Sequence, residues 1–313
     1  MVGKIKVKVT QKTAETDEIT SYRLVATEGA PLPFFSPGSH IDVHLPNGLI
    51  RQYSLMNAPG AYYEIAVLKS PQGRGGSLAM HDAVQQGDTL WISTPRNNFA
   101  LQEGASHSLL IAGGIGITPM LGMARHLQAT GGHFSLHYAA RSRSKMAFHA
   151  LLAAEMGEHT QFHLDDETAL DLTALLAHPT AGTHLYVCGP KGLIDAVLAC
   201  AQQQGWPADC VHYELFGAEV SQADSSGFDI RIHNSGQVVR VPEGITVVKA
   251  LAGAGIQIPV SCEQGVCGTC LTKVVEGEPD HRDMYLTDDE KQACNVFLPC
   301  CSRAKSGTLV IDL

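Results

Sequence analysis

The sequence predicts a multidomain chain: a small antiparallel β-barrel, an α/β domain with a parallel sheet, and a small mixed α+β domain. In the first region, short runs of alternating apolar and polar residues follow one another closely, as barrel strands do. In the second, apolar strand patterns alternate with helical patterns, which is typical of a parallel sheet with helical crossovers. In the third, closely spaced cysteines follow a single helical pattern. We place these domains at residues 1–101, 102–217 and 228–313, with a linker of small polar residues at 218–227.

The composition excludes several classes of protein. A net charge of −9 without any run of Lys or Arg argues against binding to nucleic acid, which needs a concentrated basic face. The first residues lack the apolar core of a signal peptide. No run of apolar residues approaches the length of a membrane span, which is about 18 residues. Nine cysteines, an odd number, in a chain without secretory features indicate thiols in a reducing compartment, so we expect a cytoplasmic protein.

Six short strands are expected in the first domain, and they are residues 4–10, 20–26, 40–45, 50–55, 62–68 and 89–93. The strand at 50–55 contains Arg51-Gln52-Tyr53-Ser54, where alternation places Arg51 and Tyr53 on one face. An Arg can grip a phosphate with two hydrogen bonds, and a Tyr offers a flat surface to a ring. An ordinary edge strand with mixed side chains is the alternative interpretation of these residues.

A glycine-rich turn precedes the helix expected at residues 78–84. Gly75, Gly76 and Ser77 lead directly into this helix. Glycines at a helix N-terminus form an anion site from exposed amides and the helix dipole. A plain surface loop is the alternative.

The second domain begins with an apolar strand at 106–112, a turn Gly-Gly-Ile-Gly-Ile-Thr-Pro at 113–119, and a helix at 120–128. A strand, a glycine turn and a helix in this order can bind a pyrophosphate, although the turn is not the G-x-G-x-x-G fingerprint. The remaining elements are strands at 133–140, 160–164, 184–188 and 211–216 and helices at 145–155, 171–177 and 192–204. Ligands bind at the carboxyl ends of such strands, where the glycine turn and Cys188-Gly189-Pro190 both lie. His133 and His137 are about 13 Å apart on a strand and form no metal pair.

The third domain carries cysteines at C-x4-C-x2-C, with a further pair downstream. Cys262, Cys267 and Cys270 are followed after 29 residues by Cys300, and Cys301 is adjacent to it. This is the plant-type ligand spacing for a 2Fe–2S cluster, although the spacing alone does not choose between Cys300 and Cys301. Zinc is the alternative, but zinc sites usually show two close Cys/His pairs, and here there is one C-x2-C.

The cysteine loop and its surroundings predict a compact framework. Gly265 and Gly268 have free access to positive φ, so the loop can bring its amides close to a cluster. Strands are expected at 228–233, 237–241, 271–276 and 308–313, with a helix at 246–254 and a capped helix beginning at Thr287. One helix on a small mixed sheet is the β-grasp arrangement of plant-type ferredoxins.

The motifs of the first two domains together resemble those of the ferredoxin–NADP reductase superfamily. The resemblance implies that Arg51 holds a flavin phosphate and that Tyr53 and Ser54 contact the ribityl chain and ring. It also implies a set of further cofactor-binding residues. They are Gly75, Gly76 and Ser77 at the flavin phosphate, Ala66, Val67 and Leu68 at the ring edge, Gly113, Gly114, Ile115, Gly116 and Thr118 at the pyrophosphate, and Cys188, Gly189, Pro190 and Phe216 around the nicotinamide and flavin.

The two residues after the third strand of the second domain bear on the choice between NADH and NADPH. In NADPH-dependent members of the superfamily a Ser-Arg pair stands there, whereas this chain has Asp165-Asp166. Carboxylates accept hydrogen bonds from a free 2′-hydroxyl and repel a 2′-phosphate, so we expect NADH. Arg141 and Arg143 in a neighbouring loop argue the other way.

Over its whole length the chain resembles the phthalate dioxygenase reductase family, which includes vanillate demethylase reductase subunits. The flavin, nucleotide and ferredoxin domains follow in that family's order, and Cys300-Cys301-Ser302-Arg303 resembles its ligand-x-Ser-Arg motif, which implies Cys300 as the fourth ligand. The resemblance implies an enzyme with FMN, NADH and a 2Fe–2S cluster that reduces a Rieske-type terminal oxygenase of aromatic compounds. No acid–base residue is required, because the cofactors carry the chemistry. The alternatives are an FAD-containing reductase of another hydroxylase and a zinc-stabilised nucleotide-binding module without catalysis.

Overall fold

The computed structural model describes residues 4–27, 31–73, 75–216, 226–260, 262–266, 268–283 and 285–313. The chain divides into two compact units, Met1–Phe216 and Gly217–Leu313. Most of the predicted linker, residues 218–225, lies outside the described residues. No helix in the described ranges is both long and apolar enough to cross a membrane.

The first unit begins with an antiparallel sheet and one helix. The elements are β1 (Lys4–Ala14), β2 (Ile19–Ala26), β3 (Ser39–His44), β4 (Ile50–Ser54), β5 (Tyr63–Leu68), α1 (Gly76–Ala83), β6 (Thr89–Ser93) and β7 (Arg96–Asn97). The strand order is β4-β3-β6-β1-β2-β5, and β7 pairs with β3. The amide of Met56 donates to the carbonyl of Glu64 at 2.9 Å, which joins the segment after β4 to β5. All six strands predicted for the barrel are present.

Alternation on the barrel strands separates its core from its surface. Val7 and Val9 on β1 are fully buried, whereas the lysines beside them face outward. Helix α1 is fixed to the barrel because the Tyr22 hydroxyl donates to the Met80 carbonyl at 2.8 Å and Lys12 Nζ donates to the Val84 carbonyl at 2.8 Å. The N-terminus of α1 is therefore held at one place beside the sheet.

A parallel sheet completes the first unit. Its elements are β8 (His107–Gly113), α2 (Ile117–Thr130), β9 (Phe134–Ala140), α3 (His149–Met156), β10 (Thr160–Leu164), α4 (Leu172–Leu176), β11 (Thr183–Gly189), α5 (Lys191–Gln203) and β12 (Val211–Leu215). The strand order is β10-β9-β8-β11-β12, and all neighbours are parallel. The order reverses between β8 and β11, and such a switch point is where open α/β sheets bind ligands.

Helix α2 packs the parallel sheet against the barrel. A Cβ on Gly122 would lie 2.7 Å from the Leu55 carbonyl oxygen, so only glycine permits this approach. Farther along α2, Arg125 donates to the Met56 carbonyl at 3.3 Å and pairs with Glu64 at 3.4 Å. The segment that follows β4 and the middle of α2 are therefore neighbours within the first unit.

The second unit is a small mixed sheet with two helices. Its elements are β13 (Phe228–Ile232), β14 (Val238–Val241), α6 (Val247–Gly253), β15 (Thr272–Glu276), β16 (Pro279–Asp280), α7 (Asp288–Ala293), β17 (Val296–Phe297), β18 (Arg303–Ala304) and β19 (Thr308–Asp312). The main sheet has the order β14-β13-β19-β15-β17, with β13 and β19 parallel, and β16 pairs with β18. Thr287 and Glu290 form a capping box at α7, which confirms the predicted helix start.

Candidate functional site

Arg51 and the start of α1 converge on one point of the barrel. Gly75 is left-handed, with φ of 81°, and leaves open space where a side chain would stand. A Cβ on Gly76 would lie 2.5 Å from Arg51 Nε, so the Arg51 side chain lies directly against the first turn of the helix. The Ser77 hydroxyl accepts the Ser70 amide at 3.0 Å and thereby closes the preceding loop. A guanidinium beside the backbone amides of a helix N-terminus favours the binding of an anionic group such as a phosphate.

The residues expected along the flavin ring lie on β4 and β5. Tyr53 pairs with Ile41 on β3, and burial raises the pKa of the Tyr53 phenol above its usual value. Ala66 and Val67 have buried side chains, whereas Leu68 is 37% exposed. The assignment of these three residues to the ring edge stays a prediction.

The glycine turn after β8 lies directly against the end of β11. A Cβ on Gly116 would collide with the Cys188 carbonyl, and a Cβ on Gly189 would come within 3.0 Å of Gly113 Cα. Gly114 has φ of 54° and open space in the direction of a side chain. Two motifs about 75 residues apart in sequence therefore form one surface at the switch point of the sheet, as expected for a nucleotide site.

Thr118 is placed in the first turn of α2 but is directed inward. It is 2% exposed, and its hydroxyl donates to the Ile115 carbonyl at 3.1 Å. The hydroxyl therefore stabilises the glycine turn, and a direct contact between Thr118 and a cofactor stays a prediction.

A carboxylate that the motif analysis did not assign lies beside Cys188. Glu214 on β12 pairs with Cys188 on β11, and Phe216, two residues later, is 40% exposed. Burial first, and the Glu214 charge second, raise the pKa of the buried Cys188 thiol. Glu214 reaches the surface in part, but its Oε2 is buried and has no hydrogen-bond partner within the described ranges. Burial raises the pKa of Glu214 to about 8. In the sequence, the signal for this carboxylate is a charged residue near the carboxyl end of a strand that lies beside the switch point.

The raised pKa of Glu214 makes stability depend on pH. The folded chain keeps this proton up to about pH 8, whereas an unfolded glutamic acid loses it near pH 4.5. Because the unfolded state binds fewer protons in this window, the free energy of unfolding falls as pH rises from 4.5 to 8. Over this pH range we expect the free energy of unfolding of Glu214→Gln to fall by about 3 kcal/mol less than that of the wild type. This is smaller than the full pKa shift would give, because Glu214 is partly exposed. Denaturant unfolding of both proteins at pH 5 and 8.5 measures it, and equal pH dependence would contradict the prediction.

The residues expected at the ribose lie at the edge formed by β9 and β10. The Asp165 amide donates to the Ala140 carbonyl at 3.2 Å, so the turn after β10 is adjacent to the loop that begins with Arg141. Asp165, Asp166, Arg141 and Arg143 are all exposed. Carboxylates and guanidinium groups are thus both available at this edge.

Three of the four cysteines expected at the cluster are buried in the second unit. They are Cys262, Cys270 and Cys300, whereas Cys267 lies outside the described residues. The Gln264 amide donates to Cys262 Sγ at 3.3 Å, and hydrogen bonds from Cys270 first and Cys301 second lower the pKa of the Cys300 thiol. In the part of the chain that the structure describes, no group of three or more His, Cys, Asp or Glu side chains is arranged so that it could hold a metal ion.

The glycines of the cysteine loop have the conformation that the sequence predicts. Gly265 and Gly268 have φ of 75° and 68°. A Cβ on Gly268 would collide with the Tyr285 ring, and one on Gly265 would lie 2.6 Å from Cys301 Sγ. Cys301 Sγ donates to the Leu298 carbonyl at 3.6 Å. Cys301 Sγ thus lies against the cysteine loop, and the assignment of Cys300 as the fourth ligand stays a prediction.

Comparisons with known proteins identify the family of this chain. Residues 230–305 match the family described as the 2Fe-2S iron-sulfur cluster binding domain. Residues 92–211 match the N-terminal domain of dimethylamine monooxygenase subunit DmmA-like proteins. The chain is 52% identical to vanillate O-demethylase oxidoreductase of Pseudomonas sp. (strain HR199 / DSM 7063), covering 95% of this chain and 96% of the relative.

Two further comparisons concern phthalate oxidation. The chain is 40% identical to the phthalate 4,5-dioxygenase oxygenase reductase subunit of Pseudomonas putida, over 98% of this chain and 96% of the relative. The solved structure of phthalate dioxygenase reductase, described as modular for electron transfer from pyridine nucleotides to 2Fe-2S, matches with a TM-score of 0.80 and 39% identity. That match covers 99% of this chain and 98% of the other. The chain is therefore an oxidoreductase that belongs to the phthalate dioxygenase reductase family.

Proposed function

We propose that this chain takes hydride from NADH onto FMN and passes single electrons through a 2Fe–2S cluster to a Rieske-type terminal oxygenase. The proposal rests on the surface that the glycine turn at 113–116 shares with Cys188-Gly189. Helix α2 connects this surface to the barrel. The two-electron donor and the flavin are thereby assigned to one unit. The cluster is assigned to the other, within the matched residues 230–305.

The residues present fit each cofactor. Arg51 and the first turn of α1 would hold the flavin phosphate, and the open space at Gly75 leaves room for it. Gly114 and Gly116 would let the backbone approach the nucleotide pyrophosphate. A bound flavin supplies the exchange between two-electron hydride transfer and one-electron transfer. Cys188 and Phe216 flank the place where nicotinamide and flavin rings would meet.

Four cysteines are proposed to hold the cluster. Cys262, Cys267 and Cys270 would come from the loop and Cys300 from the later turn. Burial of the three described ligands would shield the cluster from solvent. The boundaries 1–101, 102–217 and 228–313, joined by the linker 218–227, are proposed as the flavin, nucleotide and ferredoxin domains.

The visible spectrum of the purified chain, before and after anaerobic addition of NADH, tests the proposal. We expect flavin bands with overlapping iron–sulfur absorption, both bleached by NADH. A colourless protein that contains zinc would overturn it in favour of a nucleotide-binding module. Chromatography of the extracted flavin separates FMN from FAD, and FAD would place the chain with the reductases of other hydroxylases.

Nucleotide preference depends on the carboxylates after β10. Replacing Asp165 by Asn removes a charge that would repel a 2′-phosphate. We expect the ratio of kcat/KM for NADPH to that for NADH to rise roughly tenfold, which corresponds to about 1.4 kcal/mol. Glu167→Gln, which removes an equally exposed charge two residues away, is the control. Equal ratios in the two variants would contradict the role of Asp165.

The electron acceptor is proposed to be an oxygenase that demethylates vanillate. Three relatives at 44–52% identity over 95–97% of this chain are vanillate O-demethylase oxidoreductases. Mixing the chain and NADH with the oxygenase component of vanillate O-demethylase or with that of phthalate dioxygenase compares the two acceptors. We expect faster NADH-dependent turnover of vanillate than of phthalate. We place the system in the cytoplasm, whose reducing conditions preserve thiols.

A further inference from the structure

A buried network joins the segment before α7 to the turn that carries Cys300. The Asp283 side chain has no exposed surface, and its Oδ1 accepts the Ser302 hydroxyl at 3.2 Å. Its Oδ2 accepts the Leu286 amide at 2.9 Å. The Ser302 hydroxyl in turn accepts the Arg282 amide at 3.2 Å, and His281 Nδ1 lies 3.5 Å from Asp283 Oδ1. A carboxylate is thus held by hydrogen bonds inside the second unit.

The same carboxylate lies beneath the cysteine loop. A Cβ on Gly265, which stands between Cys262 and Cys267, would come within 3.0 Å of Asp283 Cα. Ser302, the hydrogen-bond partner of Asp283, follows Cys300 by two residues. Asp283 therefore contacts both segments that carry proposed ligands, although it has no ligand role itself.

Burying a carboxylate costs free energy, so the presence of Asp283 in this place needs a physical reason. Desolvation penalises the charge, and an uncharged residue could accept the same amide hydrogen bond. A fixed negative charge close to a cluster makes the addition of an electron less favourable, because the reduced cluster gains negative charge in a low-dielectric interior. Hydrogen bonds around metal ligands also orient those ligands.

We propose that Asp283 is a positioning residue for the cluster: it fastens the Cys300 turn to the cysteine loop through Ser302, and its charge lowers the reduction potential of the cluster. This rests on the cluster ligands proposed above. The cluster would then be a stronger donor to the oxygenase than the same ligands would make it without the carboxylate.

Asp283→Asn tests the charge, and Asp289→Asn, which removes an exposed carboxylate on α7, is the matched control. For the full-length holoprotein we would measure iron per chain, the electron paramagnetic resonance spectrum after reduction, and the midpoint potential. We expect Asp283→Asn to retain the cluster and to favour its reduced form roughly tenfold more than wild type, a rise of about 59 mV for one electron. We expect Asp289→Asn to remain within about twofold of wild type, because exposed charges are screened.

A loaded Asp283→Asn protein with the potential of the control would overturn the proposal, because a purely structural carboxylate would not change the potential of an intact cluster. If Asp283→Asn binds no iron, Ser302→Ala decides, since it breaks the same hydrogen bond and keeps the charge. Faster iron loss to a chelator than from wild type supports the proposal, and the wild-type rate overturns it. Wild-type protein that binds no iron would instead contradict the cluster itself.

Discussion

Replacing Cys300 by serine is expected to remove the iron–sulfur absorption and paramagnetic signal of the reduced protein while NADH still reduces the flavin. The flavin and nucleotide residues lie in the first unit, so the loss of one ligand in the second leaves them intact. A serine hydroxyl is a poor substitute for a thiolate as a ligand to iron. Iron content should fall at least severalfold, whereas flavin reduction, followed at its absorption maximum under anaerobic conditions, should keep its rate.

Cys301→Ser is the matched control, because it changes the neighbouring residue in the same way. Cys301 Sγ contacts the Leu298 carbonyl and the space beside Gly265. Serine retains a donor for that carbonyl and is slightly smaller than cysteine, so we expect nearly full iron content. If Cys301→Ser lost the cluster and Cys300→Ser kept it, the fourth ligand would be Cys301.

The order of strands and helices could be predicted because it follows from local patterns. The alternation of Lys and Val on β1 and the apolar run of β8 indicate their burial without any knowledge of partners. Boundaries were less predictable. The helix expected at 145–155 begins at His149, after a short 3-10 turn at Arg143–Lys145, because Phe148 has a left-handed backbone with φ of 60°, which a right-handed helix cannot include. The helix expected at 120–128 extends to Ile117–Thr130, since Pro119 fits the first turn of a helix.

Contacts between segments that are distant in sequence were harder to predict than the order of strands and helices. The glycine turn and Cys188-Gly189-Pro190 were both recognisable, but their direct contact depends on β8 and β11 being neighbours in the sheet. Glu214 becomes notable only because the register pairs it with Cys188. His137, which we expected to be unrelated to His133, hydrogen-bonds His163 at 3.1 Å across two strands. Pairings of this kind depend on strand order and register, and the local sequence does not encode either.

Gly116→Ala is expected to cut the rate of flavin reduction by NADH on the order of 100-fold, because a shift of about 1 Å at a reacting site has an effect of that size. Gly116 has φ of −63°, which alanine adopts easily, so backbone strain is not the cause. The added Cβ would collide with the Cys188 carbonyl, and either the glycine turn or the end of β11 must move. Those are the two segments proposed to bind the pyrophosphate and to flank the nicotinamide.

Gly157→Ala provides the control, because it makes the same change in the same sheet domain where no atom lies within 4 Å of the new Cβ. Stopped-flow absorbance under anaerobic conditions gives the reduction rate, and the flavin and iron contents of each variant show whether it has folded and loaded its cofactors. Overpacking of this kind costs about 1–3 kcal/mol of stability, so Gly116→Ala is expected to remain folded but less stable than Gly157→Ala. A loaded Gly116→Ala protein that NADH reduced at the wild-type rate would mean that the nicotinamide does not bind at this switch point. A slow rate confined to Gly116→Ala would instead tie hydride transfer to the contact between the glycine turn and Cys188.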